Sequence, residues 1–409
     1  MLYCSYIHRK PDSVKRIAPL KPFDFPAKFP HNFSMHTVTL QKVESYDRAF
    51  VREGLIRLLE PLGGMGAYVR PGERVLLKPN MLSAKPPEKA VTTHPEVLRG
   101  VIELVKAAGG IPLVGDSPGV ESGRRVAEKS GILRVVEESG AELVEFTESM
   151  EVAGQGLFKR FEIARPYMEA DRLINLAKLK THEMMTMTCA VKNLFGAVVG
   201  TGKATWHLKA GADRGVFARM LLEIYLLRRP DLNIVDAVIA MEGNGPGSGD
   251  PRQVGLLLAG ANPLAVDIIA AEVAGIPKKL LHLERMAERL KLDGSDRSRI
   301  ETVGASLEEA RVKDFRLPHI SDVQFGLPTF LKNRLRHYLT SHPCALPDKC
   351  KLCGVCVDAC PPQAIAIREG RLAFDYHRCI RCFCCRELCP DGALGVREGS
   401  LLKYIKKFI

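Results

Sequence analysis

No run of about eighteen apolar residues occurs in the 409-residue chain, so no membrane-spanning helix is expected. The opening stretch, Met1 to Lys10, lacks the apolar core of a secretory signal. Tryptophan occurs once, and no helix-turn-helix, RNA-recognition or zinc-finger pattern is present. The formal charge of +12 is spread along the chain and does not indicate a nucleic-acid protein. Dispersed positive charge suits small anions, an acidic redox partner, an anionic membrane surface or simply a solvated basic exterior. No Gly-x-Gly-x-x-Gly follows the first strand-like segment, which leaves a Rossmann dinucleotide site without support. Cysteine is nearly missing from the first 340 residues. Cys4 and Cys189 stand there alone, and ten of the twelve cysteines lie beyond them.

Eight of those ten form two copies of one string. They are Cys350-x2-Cys353-x2-Cys356-x3-Cys360-Pro361 and Cys379-x2-Cys382-x2-Cys385-x3-Cys389-Pro390. Thiolates at this spacing are what a cubane iron–sulfur cluster requires, three from one tight loop and a fourth from the other half of a small domain. Cys350, Cys353 and Cys356 would then share a cluster with Cys389, and Cys379, Cys382 and Cys385 one with Cys360. The duplication continues past the cysteines, since Cys360-Pro-Pro-Gln-Ala364 is echoed by Cys389-Pro-Asp-Gly-Ala393. The segment resembles bacterial ferredoxins with two 4Fe–4S clusters. Structural zinc fits worse, because zinc knuckles have no use for the third cysteine or the following proline. A disulfide framework fits worse still. Oxidation-sensitive clusters imply a reducing compartment, so a cytoplasmic location is expected.

A chain of this length should hold two folded units plus tails. Residues 1–34 carry five prolines and no sustained periodicity, so they are expected to be disordered or an artefact of start-site choice. From 35 to about 325, strand and helix patterns alternate. Strands are expected at 36–43, 74–79, 111–115, 142–147, 172–177, 233–240 and 254–260. Helices are expected at 46–62, 95–108, 121–139, 215–228 and 263–274. The pattern reads as α/β, a mostly parallel sheet with helices on both faces. Residues 326–343 are expected to form a linker helix. Residues 344–409 are expected to form a small α+β ferredoxin-like domain ending in an amphipathic, basic segment at 400–409.

Ligands in open α/β sheets sit at the carboxyl ends of strands. There this chain places Lys78-Pro79-Asn80, Gly115-Asp116-Ser117-Pro118-Gly119, Lys178-Leu179-Lys180-Thr181-His182 and Glu242-Gly243-Asn244-Gly245-Pro246. With Lys192-Asn193-Leu194-Phe195-Gly196 and Asn262-Pro263-Leu264-Ala265-Val266-Asp267, these motifs resemble the DUF362 family over residues 36–330. The resemblance implies a paired cluster domain at the C-terminus and supplies no reaction.

The chemistry is therefore read from the residues. Lys78, Lys178, Lys180 and Lys192 suit a substrate with carboxylates or phosphates, and Asn80, Ser117 and Asn193 add neutral hydrogen bonds. His182 and Lys180 are the candidate catalytic groups. Asp116, Glu242 and Asp267 are candidate proton carriers or hard-cation ligands. One mouth is expected to gather Lys78, Lys180, His182 and Lys192 around a single anion. Gly200-Thr201-Gly202-Lys203-Ala204 fails as a phosphate loop, because Ala197 replaces the first glycine and Ala204 the final hydroxyl. Cys189 reads as a small buried residue, and Cys344 and Cys384 as packing beside the clusters. Three functions remain open. They are an iron–sulfur oxidoreductase acting on a small anion with a redox partner protein, a ferredoxin-type carrier whose large domain only docks partners, and an iron–sulfur sensor or assembly factor.

Overall fold

A computed structural model of the chain describes residues 34–119, 121–200, 202–210, 213–318 and 340–399. The expectations for residues 1–33, for 326–339 of the linker helix and for the segment 400–409 fall outside the described residues; at 340–343 the expected helix is absent, because His342 already starts a strand paired with Leu394–Arg397.

The apolar runs become strands. In chain order they are β1 (His36–Lys42), β2 (Arg74–Pro79), β3 (Ile111–Val114), β4 (Glu142–Leu143) and the separate hairpin of β5 (Ser149–Ala153) and β6 (Arg160–Ala164). Then come β7 (Arg172–His182), β8 (Thr186–Thr188), β9 (Leu232–Glu242), β10 (Asp250–Gly260) and β11 (Ile300–Gly304). Apart from the hairpin they form one sheet in the order β11-β1-β10-β9-β7-β2-β3-β4, with β8 added against the end of β7. Every neighbouring pair is parallel except those made by β10, which runs against both β1 and β9, and by β8. The mostly parallel sheet follows the sequence pattern.

The helices are α1 (Arg48–Leu59), α2 (Pro95–Ala107), α3 (Gly123–Lys129), α4 (Ile132–Glu138), α5 (Arg165–Glu169), α6 (Ala190–Asn193), α7 (Gly202–Ala210), α8 (Arg214–Leu227), α9 (Pro263–Val273) and α10 (His282–Arg289). Alternation along the strands separates two cores. Val75 and Leu77 of β2 pack with α1, α2 and α4, whereas Leu76 packs with α8 and α10. The starts are set by sequence. Pro95 follows a His94 cap whose Nδ1 accepts from Glu96, and Pro263 follows an Asn262 cap that accepts from Leu264 and Ala265. On α2, Val97, Leu98, Val101, Ile102 and Val105 are fully buried at helical spacing. Each such side chain contributes roughly 1.5–3 kcal/mol relative to exposure.

Three strands, β7, β9 and β10, run further than the sequence pattern suggested. β7 continues through Lys178, Lys180 and His182, so these residues belong to the strand rather than to a loop after it. The cause is pairing: β8 folds back on 180–182, and β9 follows alongside as far as Met241. For the same reason Glu242 is the last residue of β9. The helical stretch at 121–139 divides into α3 and α4 at Gly131, whose φ of +77° favours glycine.

The cysteine-rich segment contains two small sheets. β12 (His342–Ala345) pairs with β15 (Leu394–Arg397), and β13 (Ile365–Arg368) pairs with β14 (Arg371–Phe374). One helical turn in each half, Val355–Asp358 and Cys384–Glu387, carries cysteines. This small domain and the α/β body belong to one compact unit.

Candidate functional site at the domain junction

The parallel strands β2, β3 and β7 end on one edge of the sheet, and there a cavity of about 520 Å³ lies against the cysteine-rich domain. Asn80 follows β2, Asp116 and Ser117 follow β3, and Lys180 projects from β7. Short α6 supplies Lys192 and Asn193, and one face of α7 supplies Lys203, Ala204 and His207. The far wall comes from Asp358, Ala359, Cys384, Glu387 and Leu388 of the cysteine-rich domain.

A chain of buried polar side chains fixes this edge. The Lys180 ammonium donates to Asn80 Oδ1 (2.9 Å), and the Asn80 amide donates to Asn193 Oδ1 (2.8 Å). The Asn193 amide donates to Asn175 Oδ1 (2.8 Å), and that of Asn175 to Asn233 Oδ1 (2.9 Å). Asn233 closes the run on the Gly260 carbonyl (3.2 Å). Every amide in the run is used as donor and acceptor, which holds β2, β7, β9 and α6 in register. Asp267, inside α9, accepts from the Ala190 and Val191 backbone N–H groups (2.6 and 3.1 Å) and so caps α6, which carries Lys192. Burial pushes the Asp267 carboxyl up to about 7.

Six of the residues singled out in the sequence line the cavity: Asn80, Asp116, Ser117, Lys180, Lys192 and Asn193. Four do not. The Lys78 ammonium is fully buried, donates to the Asn193 carbonyl (2.5 Å) and pairs with Asp116 (2.7 Å). Gly196 permits that pair, since a Cβ there would sit 1.9 Å from Asp116 Oδ1 and 2.6 Å from Lys78 Nζ. Lys178 pairs with Asp236 (2.8 Å) and Tyr46 (2.8 Å), away from the cavity. Glu242 bonds to Arg316 (2.8 Å). The single mouth expected for Lys78, Lys180, His182 and Lys192 is therefore corrected: two of the four line it.

His182 is the fourth. Its Nδ1 accepts from the N–H groups of Met184 (3.0 Å) and Met185 (3.2 Å), so the neutral ring carries its proton on Nε2. Nε2 lies 3.0 Å from Glu387 Oε1, close but poorly aligned for a full hydrogen bond. Burial, then Lys192, lower the imidazole to about 4. Next to it, Glu183 pairs with Arg386, and burial raises the Glu183 carboxyl to about 7. Two consecutive residues of the β7–β8 hairpin thus meet two consecutive residues of the cysteine-rich domain. Gly119 lies against the Leu388 side chain and Gly247 against the Glu387 carbonyl, so both interface loops approach closely.

The cavity wall is rich in cations that have no carboxylate partner. Among the described residues no carboxylate lies within ion-pair distance of Lys180, Lys192 or Lys203. Burial lowers all three, Lys180 furthest, with Lys192 and Lys178 adding repulsion. Burial also brings His207 to about 3. Lys203 and His207 escaped the sequence reading. Their signal was present, because Lys203, Ala204 and His207 share one helical face and Gly200-Thr-Gly202 precedes it.

The eight cysteines fit clusters. Cys350, Cys353, Cys356 and Cys389 line one small hollow, the set expected from the crossed arrangement. In the other half, Cys379, Cys382 and Cys385 lie within electrostatic reach of one another, with Cys360 beside them. Among the described residues no three His, Cys, Asp or Glu side chains converge as they would on a single ion. The sequence echo reappears in three dimensions. Ala364 N–H donates to Cys360 Sγ (3.1 Å) and Ala393 N–H to Cys389 Sγ (3.2 Å), contacts of the kind that tune a cluster's potential.

No helix among the described residues is long and apolar enough to cross a membrane. Comparison with known proteins gives a match to the domain of unknown function DUF362 over residues 75–272 and to a 4Fe-4S dicluster domain over 349–393. A thylakoid-associated protein of Synechocystis sp. is 40% identical over 303 residues, covering 74% of this chain and 94% of its own length. The lactate racemase apoprotein of Thermoanaerobacterium thermosaccharolyticum aligns at 11% identity with a TM-score of 0.40, over 59% of this chain and 57% of its own. A Thermotoga maritima protein aligns at 14% identity with a TM-score of 0.32, over 49% of this chain and 52% of its own. The chain belongs to the DUF362 family, and its C-terminal part is an iron–sulfur domain of the 4Fe–4S dicluster type.

Proposed function

We propose that the protein is an iron–sulfur oxidoreductase that moves electrons between a partner protein and a small anion held at the domain junction. The observation that carries this reading is the Lys192 ammonium. It makes no hydrogen bond or ion pair with a described residue, lines the cavity, and lies within electrostatic reach of Cys384 and Glu387 of the cluster domain. An unpaired charge in a half-buried position is costly, so a site that keeps one is matched to an incoming charge.

Two 4Fe–4S clusters, held by Cys350, Cys353, Cys356 and Cys389 and by Cys379, Cys382, Cys385 and Cys360, would supply electrons singly. Cys353 is exposed, whereas Cys379, Cys382 and Cys385 are buried, so the first half suits contact with a redox partner and the second half faces the cavity. Lys180, Lys192 and Lys203 bind the anion, and Asn80, Ser117 and Asn193 orient it. His182 holds Glu387 and thereby the cluster domain, with Lys78–Asp116 and Lys178–Asp236 as supports. A carrier that only docks partners would have no use for a cavity lined by lysines without carboxylate partners. A reducing compartment, cytoplasmic or at a membrane surface, suits the clusters.

The test is anaerobic reconstitution followed by incubation with a low-potential reductant and cell metabolites. About eight iron and eight sulfide per chain are expected, with one metabolite consumed by the wild type and not by Lys192→Met. Stoichiometric zinc without a brown chromophore would refute the cluster assignment. Failure of any metabolite to turn over would favour the carrier.

A further inference from the structure

The cations of the cavity are gathered in one region, whereas the rest of its lining is largely apolar and carries the carboxylates Asp116, Glu121, Glu145, Asp358 and Glu387. Lys192 lies within electrostatic reach of Lys180, Lys203, His207 and Glu387, so these groups surround one region. Leu82, Phe146, Phe195, Val199 and Leu388 continue the wall, with Phe146 and Phe195 nearly buried behind it. About 520 Å³ accommodates a ligand the size of a substituted ring system. His207 Nδ1 is a further buried group without a partner among the described residues.

Lys203 differs from its neighbours. Its ammonium donates to the Val198 carbonyl (2.6 Å) and the Pro118 carbonyl (3.2 Å), which leaves one N–H for a ligand. Burial lowers its pKa to about 7; Asp116 opposes the fall, and Lys78 and Lys192 deepen it. Such a lysine can release a proton at neutral pH and regain it from water.

A donor that delivers electrons one at a time needs an acceptor that can hold an unpaired electron, and delocalisation over a conjugated system provides that. We propose that the cavity takes a planar conjugated anion, reduced in two one-electron steps, with Lys203 as a proton donor. This rests on the oxidoreductase reading above. Two electrons come from a reduced one-electron carrier protein by way of the cluster domain, and two protons are consumed. One N–H bond of the Lys203 ammonium breaks and an O–H or C–H bond forms on the substrate. Water reprotonates the amine and supplies the second proton.

The test uses the reconstituted full-length holoprotein and three probes: anthraquinone-2-sulfonate, neutral 1,4-naphthoquinone and saturated cyclohexanecarboxylate. Calorimetry at pH 7 should show the sulfonate binding at least about tenfold more tightly than either control, with about a tenfold loss in Lys203→Met. Its affinity should fall as pH rises through about 7 in the wild type and not in Lys203→Met. Lys203→Arg keeps the charge but cannot release its proton. It should retain binding, yet photoreduced Lys203→Arg should be re-oxidised more slowly by the bound quinone, with accumulation of an organic radical seen by electron paramagnetic resonance. Iron content and circular dichroism identify a variant that has not folded, and Lys203→Arg preserves bulk and charge if Lys203→Met fails. Equal binding of cyclohexanecarboxylate, or wild-type re-oxidation by Lys203→Arg, overturns the inference. If the saturated acid binds equally but still depends on Lys192, the anion site stands and only the conjugated acceptor falls. If no probe responds to Lys192→Met, the oxidoreductase reading falls as well.

Discussion

Lysines at the strand-end edge of the sheet form two groups. Lys78 and Lys178 each have a carboxylate close by, Asp116 at 2.7 Å and Asp236 at 2.8 Å. Lys180, Lys192 and Lys203 have only amides, carbonyls or open cavity. Lys180 is as buried as Lys78 and Lys178, whereas Lys192 and Lys203 are half-buried, so burial does not separate the groups and the difference lies in charge balance. A buried pair costs desolvation and recovers it by mutual attraction, which makes it a structural element. Three cations without carboxylates are a strain on the fold that a bound anion would relieve. Residue type and position along β7 do not separate the groups, since Lys178 and Lys180 are two residues apart on one strand.

Lys178→Met should break the paired group with the largest effect. It leaves the Asp236 carboxylate buried without its cation and should cost about 3–5 kcal/mol in urea unfolding. A loss no greater than that of Lys192→Met would erase the distinction. Gly196→Ala attacks the other pair sterically, pressing a methyl onto Asp116 and Lys78. Overpacking of this kind should cost about 1–3 kcal/mol, read as a lower unfolding midpoint with clusters intact. Lys192→Met should leave the midpoint unchanged or raise it, because an uncompensated cation is removed. The same variant should lose about ten- to a hundredfold in affinity for an anion such as anthraquinone-2-sulfonate by calorimetry.

The effect that is smallest per pH unit concerns Lys203. Lys203 ionises near 7 in the fold and near 10.4 when unfolded. Between those values the unfolded chain holds more protons, so stability rises with pH in that window. The rise from this one group should not exceed about 1.4 kcal/mol per pH unit. Lys203→Met should flatten the profile, and an unchanged slope would place the titration elsewhere.

Much of the site was legible in the sequence. Polar residues where apolar runs stop led to Asn80, Asp116, Ser117 and Lys180, and the motif shared with DUF362 to Lys192 and Asn193, all in the cavity wall. The miss at Lys78 and Lys178 has a physical cause: a lysine beside a strand end reads the same whether it meets a substrate or a carboxylate. Asn175 and Asn233 went unnoticed, although an asparagine inside a buried strand is unfavourable unless its amide is satisfied. That was a usable signal. Lys203 and His207 were passed over because the segment was judged only as a phosphate loop, which it is not. Its role appears once α7 turns one face towards the cavity.

The sequence by itself determined what depends on neighbours along the chain. Ligand spacing marks the cysteine strings as cluster-binding, the repeated Cys-to-Ala segment yields the same N–H to sulfur contact twice, and apolar runs yield the parallel sheet. The tertiary structure alone decided which lysines are paired and where the two domains meet. Those outcomes depend on partners distant in sequence. Lys178 finds Asp236 at 58 residues' separation, and Glu183 finds Arg386 at 203. Short-range pattern fixes backbone geometry, but a buried charge is settled by whatever the finished fold brings beside it.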